Sequence, residues 1–284
     1  MNHNLLDIKK EIQLTFSDGS ISTVDEQVHK LIMTLQNKVQ NNQMLPYFWN
    51  LSQSIDSYSE LLLKFYNYLI TNRKLSKSQL YQDLFVLFIL DNKTKGTFLE
   101  FGATDGLEYS NSFLLENDFN WKGVLAEPSP QWHENLKTNR PKASIIEECI
   151  HYETGKRLDF FVSDVGVLST LEKHKQSDIS SMPANTNARN KNGYNHIVKS
   201  ISLNDVFVKH FNSSPIDYMS VDTEGSELEI LENFDFQKFA PKIVTVEHNF
   251  TDAQKKLDEL FIKNNYLRFF KEHSKFDAWY VLQV

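Results

Sequence analysis

The stretch Thr97-Phe98-Leu99-Glu100-Phe101-Gly102-Ala103-Thr104-Asp105-Gly106 limits what this chain can fold into more than any other. Phe98 to Phe101 form a largely apolar run that fits a buried strand. The run breaks at Gly102 and again at Gly106, and an amphipathic run follows from Ser110 to Phe119. That order predicts a strand, a tight glycine turn and a helix. Such a turn lets a ligand approach bare backbone, and a helix N-terminus offers free N–H groups. A second strand, Gly123-Val124-Leu125-Ala126, ends in Glu127, 25 residues after Gly102. An acid at a second strand end, ~20 residues past the first glycine, is the spacing that grips a ribose. The pair points to a nucleoside ligand.

A dinucleotide site needs G-x-G-x-x-G, which sets a helix dipole against a pyrophosphate. Here the spacing is G-x-x-x-G and acids accompany it, Glu100 before and Asp105 within. Acids repel a pyrophosphate and suit a cation. S-adenosylmethionine carries an ammonium and a sulfonium and no phosphate, so the turn reads as a methyl-donor site. A plain strand-to-helix turn has the same pattern, and taken alone the turn leaves both readings open.

Elsewhere, Ile216-Asp217-Tyr218-Met219-Ser220-Val221-Asp222-Thr223-Glu224-Gly225-Ser226-Glu227 reads as a strand leading into an acidic turn and a helix. Taken with Phe101 to Gly106, Ser110-Asn111-Ser112, Ala126-Glu127-Pro128-Ser129-Pro130 and Val246-Glu247-His248-Asn249, it resembles the FkbM-type methyltransferases. Ser78-Gln79 followed by Gln82-Asp83 is similar to the family's usual lead-in. The resemblance spans Ser76 to Val284 and departs from the family at Thr104, where Asn is more usual. It implies the class I, Rossmann-like α/β fold, a doubly wound and mostly parallel seven-stranded sheet. It also implies S-adenosylmethionine as donor and O-methylation of a sugar hydroxyl in a glycan or natural product.

The periodicity is consistent with that fold. From Ser76 onward the expected order is helix 78–91, strand 97–101, helix 110–119, strand 122–127, helix 130–139, strand 143–150 and strand 157–163. Strand 197–202, helix 203–211, strand 216–221, helix 226–233, strand 242–247, helix 252–264 and strands near 266–271 and 277–283 complete it. Alternating βα units mean a mostly parallel sheet with helices on both faces. The last two strands are close enough to pair as a hairpin at an antiparallel edge. The polar segment 172–196 reads as a loop near the mouth of the site, either a lid or disordered. Residues 1–75 hold one glycine, Gly19, and few strand signals. Val28, Leu31, Ile32 and Leu35 recur at helical spacing, as do Leu61, Leu62, Phe65, Tyr66 and Leu69. We expect an N-terminal helical extension over 1–75, its stripes packing on the catalytic domain of 76–284 or on a second copy, with a substrate lid as the alternative.

With 284 residues, 40% of them hydrophobic, the chain can build one catalytic domain plus that extension. A net charge of −7 argues against nonspecific nucleic-acid binding, which needs a basic footprint. The single cysteine, Cys149, excludes an intramolecular disulfide and fits a reducing, cytoplasmic setting. No apolar run approaches the ~20 residues of a membrane span, and the N-terminus shows no apolar signal core.

Ligands sit at the carboxyl ends of parallel strands, where Glu100 with Gly102, Glu127, Asp222 with Glu224, and Glu247-His248-Asn249 would gather. Glu127 would accept the ribose hydroxyls. Glu100, Gly102 and Asp105 would surround the methionine end and its ammonium. Asn111 would bridge to the donor or cap the following helix, while Pro128 and Ser129 follow the ribose acid, Ser129 with a possible helix-capping role. Cys149 would stand as a small wall residue near the adenine. Methyl transfer is an in-line displacement that needs an aligned hydroxyl and a proton acceptor. Asp222, Glu224 and His248 are the candidate bases, with His248 the best pKa match. Alternatively Asp222, Glu247 and His248 would hold Mg²⁺ and polarise a sugar diol. The competing functions are methylation of a lipid, protein or small-molecule acceptor, a noncatalytic S-adenosylmethionine-binding module, and a nicotinamide-dependent oxidoreductase, which the missing third glycine disfavours.

Overall fold

The computed structural model describes residues 11–15, 21–25 and 57–283. The chain divides into two compact units, residues 1–63 and 64–284. In the first unit, β1 (Glu11–Thr15) pairs antiparallel with β2 (Ile21–Asp25), Glu11 opposite Asp25. This hairpin corrects the helical reading of that stretch. Its first half, Glu-Ile-Gln-Leu-Thr, alternates polar and apolar residues with period two, its second half, Ile-Ser-Thr-Val-Asp, is rich in β-branched residues, and Asp18-Gly19 between them is a hairpin signal in the sequence. The stripe from Val28 to Leu35 lies outside the described residues. Helix α1 (Ser57–Asn72) crosses the boundary, and its residues from Lys64 onward, Phe65 among them, belong to the second unit.

The second unit then runs α2 (Gln82–Ile89), β3 (Thr97–Phe101), α3 (Phe113–Phe119), β4 (Lys122–Ala126), α4 (His133–Asn139), β5 (Ser144–Ile146) and β6 (Cys149–His151). Next come β7 (Arg157–Ser163), β8 (Thr170–Leu171), α5 (Pro183–Arg189), β9 (Gly193–Ser202), α6 (Leu203–Phe211) and β10 (Tyr218–Val221). It closes with α7 (Glu227–Glu232), α8 (Phe236–Phe239), β11 (Ile243–Glu247), α9 (Ala253–Lys263), β12 (Tyr266–Phe269) and β13 (Asp277–Leu282).

Seven strands form one mixed sheet in the order β12-β13-β11-β10-β3-β4-β5. The pairings from β11 through β5 are parallel, and β13 runs antiparallel to both its neighbours. The two last strands do pair as a hairpin, but β13 is inserted inside the sheet and β12 forms the edge. Burial explains the choice: Ala278, Trp279 and Tyr280 of β13 are all buried, whereas Leu267 of β12 is exposed. Trp279 stacks on Phe85 of α2 at 4.7 Å, and Tyr280 stacks on Phe261 of α9 at 3.9 Å. Successive strand residues face opposite sides, so helices cover both faces of the sheet. Phe65 of α1 joins the first face, stacked on Phe270 at 5.0 Å and edge-on to Trp279.

The strand expected over 143–150 splits. β5 stays beside β4, and β6 leaves to pair with β9 in a second, four-stranded sheet of order β6-β9-β7-β8. The break falls at Glu147 and Glu148, where Glu147 turns outward to Lys137 at 2.7 Å. The segment 172–196 is not a structureless loop. It contains α5 and the start of β9, which begins at Gly193, and it buries Arg189 in an ion pair with Asp178 at 2.7 Å.

Candidate active site

The carboxyl ends of β3, β4, β10 and β11 meet the second sheet around a cavity of about 460 Å³. Glu100, Gly102, Asn111, Glu127, Pro128, Cys149, Asp222, Glu224 and Glu247 line it, all of them expected from the sequence. Residues 165–169, Met182, Asn185 and Ala188 of the insert close the opposite wall. Among the described residues lining it there are five carboxylic acids and no Lys, Arg or His.

Glu127 is buried at the end of β4. Its Oε2 accepts the Thr104 N–H at 2.8 Å and its Oε1 accepts the Ser129 N–H at 2.7 Å. Two backbone bonds fix the carboxylate and leave each oxygen further acceptor capacity. Burial pushes the acid up to about 7, against the pull of those N–H groups. Cys149 forms part of the wall; burial, then Glu127, push its thiol up to about 12, so it is an inert neutral group.

Four residues expected at the donor site have structural partners of their own. The Gly102 backbone has φ +80°, and a Cβ there would lie 1.9 Å from the Asp222 carbonyl oxygen. The neighbouring strand end, rather than ligand approach, demands this glycine. Asp105 does not line the cavity: its Oδ1 accepts the Leu107 and Glu108 N–H groups at 2.8 and 2.9 Å and caps the turn. Ser129 also lies outside the lining and acts through its N–H on Glu127. Glu100 faces the cavity, but its carboxylate accepts from the Asn111 N–H at 2.7 Å, the Ser110 hydroxyl at 3.0 Å and the Ser112 hydroxyl. It therefore holds the loop that carries Asn111. Asn111 donates Nδ2 to Ser220 Oγ at 2.9 Å, and its buried Oδ1 has no partner.

On the other side, Asp222 follows β10 and lies beside Glu247, a carboxyl oxygen of each within 4.8 Å of the other. Burial, then Glu227 and Asp277, push Asp222 up to about 8. Burial, then Asp222, push Glu247 well above the carboxylate range. Glu224 is less free than expected of a base: its Oε2 lies 2.6 Å from Arg189 Nη2 in a buried ion pair. Ligand oxygens of Asp222, Glu227 and Glu247 can lie within 4.8 Å of one another. Sequence reasoning missed Glu227, whose signal was its place four residues past Thr223 in the first turn of α7, where Oε1 accepts the Thr223 N–H at 2.8 Å.

His248 lies outside the cavity lining and outside the cluster of Asp222, Glu227 and Glu247. Its Nδ1 accepts the Phe250 N–H at 3.0 Å, and its Nε2 lies 3.2 Å from the Asp277 carbonyl and 3.3 Å from Arg268 Nη2. Burial, then Arg268, push it down to about 4. Strand alternation supplies the reason: Glu247 faces the cavity, so the next residue faces away.

A family model described as the Methyltransferase FkbM domain matches residues 100–279. A search of curated proteins finds no match. Among solved structures the chain is similar to an O-methyltransferase from Bacillus cereus in complex with SAH, at 10% identity over 83% of this chain and 96% of that one, TM-score 0.40. It is also similar to a putative caffeoyl-CoA O-methyltransferase from Staphylococcus aureus, at 13% identity over 84% and 98%, TM-score 0.39. A precorrin-6y C5,15-methyltransferase from Geobacter metallireducens matches at 12% identity over 70% and 85%, TM-score 0.36.

Proposed function

The chain belongs to the FkbM methyltransferase family, and from that premise we propose that it methylates a hydroxyl group, that of a saccharide, with Asp222 as the proton acceptor. As an S-adenosylmethionine-dependent enzyme it draws on a donor that supplies an electrophilic methyl group. The cavity suits that donor: Glu127 retains acceptor capacity for ribose hydroxyls, Asn111 Oδ1 is unpaired, and five acids favour a cation. The observation that carries the catalytic part is the Asp222–Glu247 pair on the same cavity as Glu127. A cation bound among carboxyl groups draws their pKa values down and readies Asp222 to take the hydroxyl proton. Glu247, itself held by Asn249 Nδ2 at 2.8 Å, is the carboxyl group beside Asp222. The saccharide acceptor rests on the sequence resemblance; a lipid, protein or small-molecule hydroxyl is the alternative, and a noncatalytic binding module the further one.

The test is release of S-adenosylhomocysteine by the purified chain with a panel of neutral saccharides. Asp222→Asn should cut turnover by roughly 10²–10⁴-fold, the usual worth of a general base. Full turnover in that variant removes Asp222 from the role, and no turnover with any hydroxyl acceptor leaves the binding module.

A second reading is favoured by the convergence of Asp222, Glu227 and Glu247. Three carboxylates fit the oxygen preference of Mg²⁺, which would polarise a diol there. Loss of transfer on EDTA treatment and recovery with Mg²⁺ would establish it; transfer that survives chelation leaves Asp222 as the base alone.

A further inference from the structure

Asn139 and Arg140, at the end of α4, reach the back of the loop 105–112, which carries Ser110 and Asn111 into the cavity lining. Arg140 is 1% exposed and is not part of that lining. A guanidinium has five N–H donors, and here all five are spent. Two go to Glu116 Oε2 of α3, from Nε at 3.1 Å and from Nη2 at 2.8 Å. The other three go to the loop. Nη1 donates to the Gly106 carbonyl and to Ser110 Oγ, each at 3.1 Å, and Nη2 donates to Ser112 Oγ at 3.0 Å. Asn139 Nδ2 adds a bond to the Asp105 carbonyl at 2.9 Å.

The bonds continue past the guanidinium. Ser110 and Ser112 donate their own hydroxyls to Glu100 Oε2, and Glu100 Oε1 accepts the Asn111 N–H. Ser110-Asn111-Ser112 is therefore clamped between a buried cation at the end of α4 and a buried carboxyl group on β3. Gly106 makes the clamp possible. Its φ is +74°, and a Cβ there would lie 2.6 Å from Arg140 Cγ and 2.5 Å from Leu136 Cδ1. The second glycine of the turn thus gives the arginine stem its room. A loop positions a ligand only as well as the residues behind it hold the loop.

We propose that Arg140 is a positioning residue for donor binding: through the Gly106 carbonyl, Ser110 and Ser112 it fixes the loop that presents Asn111 to the cavity, and it touches no ligand itself. This rests on the donor reading given above. The geometry separates the role from plain stability. The two bonds to Glu116 join α4 to α3, a buried ion pair that apolar contact can replace. The three bonds to the loop have no apolar substitute, because each satisfies a polar group of the loop itself.

Calorimetry of S-adenosylhomocysteine binding to the full chain, with the melting temperature measured alongside, tests the proposal. Arg140→Met alone leaves Glu116 buried without its cation, so the informative variant combines Arg140→Met with Glu116→Met. Replacing a buried ion pair by apolar side chains is often neutral for stability. The double variant should melt near wild type and still bind S-adenosylhomocysteine roughly 10- to 100-fold more weakly, because the loop has lost three anchors. Arg140→Lys keeps a cation beside Glu116 and lacks the planar fork, and its affinity should fall in the same range. Its hydrogen exchange should quicken over residues 106–112 and not in the central strands. Wild-type affinity in either folded variant overturns the proposal, and so does exchange that quickens evenly through the domain. If the double variant does not fold, Arg140→Lys is the one to read; failure of both to fold makes Arg140 a structural residue and overturns the proposal as well. A wild type that binds no S-adenosylhomocysteine overturns the donor reading itself.

Discussion

Glu127 should make donor binding depend on pH across a range where ordinary carboxylates do not titrate. Burial lifts its carboxyl from 4.5 to about 7, and the Thr104 and Ser129 N–H bonds, at 2.8 and 2.7 Å, only partly offset that. The titratable neighbour facing it is the Cys149 thiol, neutral throughout. Only the ionised carboxylate can accept both ribose hydroxyls, and those donors should pull its pKa down in the complex. Below pH 7 each unit of pH must then cost donor affinity up to about tenfold, or about 1.4 kcal/mol. The sign for stability runs the other way. A carboxyl raised in the folded state costs nothing below 4.5, and the ligand-free protein loses stability as pH climbs from 4.5 to about 7. The assay is calorimetry with S-adenosylhomocysteine between about pH 5.5 and 8.5 for wild type and Glu127→Gln. An amide must point its NH₂ at one of the two backbone N–H donors, so the variant should lose roughly 2–4 kcal/mol of donor affinity at pH 8. It should also lose the slope attributable to this residue, which separates Glu127 from Asp222 and Asp277, both titrating nearby. A wild-type affinity flat from pH 5.5 to 8, or a Glu127→Gln profile as steep as wild type, would refute the assignment.

Gly102→Ala must push the new methyl against the Asp222 carbonyl at a positive φ, and thermal denaturation should register a loss of roughly 2–4 kcal/mol. His248→Gln should lower the melting temperature but leave no missing inflection near pH 6.5 in the rate profile, because the wild-type ring is neutral above about 4; a histidine-shaped limb that vanishes in the variant would restore it as base. Arg189→Met should cost roughly 3–5 kcal/mol, since Asp178 and Glu224 are left buried without their cation; chemical denaturation measures it, and an unchanged midpoint would mean the pair relaxes into solvent.

The central strands were legible because burial on both faces leaves a largely apolar signal, broken only by the small residues Ser220 and Thr245 in Tyr218 to Val221 and Ile243 to Val246. The ends of those strands were legible for the same reason: each apolar run stops at a polar residue that topology must carry to one edge. Composition could not show the fate of polar residues inside the insert. Arg189 is among the most polar residues of a polar segment, and only the folded arrangement brings Asp178 and Glu224 within 2.7 Å of it. β1 was readable from its alternation and β2 from its β-branched residues, but the stretches of helical period that follow them, Val28 to Leu35 and Leu61 to Leu69, overrode both.

Two of the departures at the site, at His248 and at Asp105, share one physical origin. A residue type names a chemistry, whereas facing decides whether that chemistry meets a ligand. Glu247 and His248 are adjacent, and both suit a catalytic role by type. The pleat sends one into the cavity and the other against Arg268 and the Asp277 carbonyl. Asp105 and Glu100 differ in the same way, one capping its own turn and the other facing the cavity while bonded to the loop of Asn111. Counting alternation from the last buried strand residue, Val246, marks 247 and not 248 as a change of face. Applied to β10, the same count from Val221 sets Asp222 on the face opposite Val221, away from the apolar core that Val221 joins. That placement is why Asp222, rather than the histidine with the more favourable intrinsic pKa, is the group to mutate first.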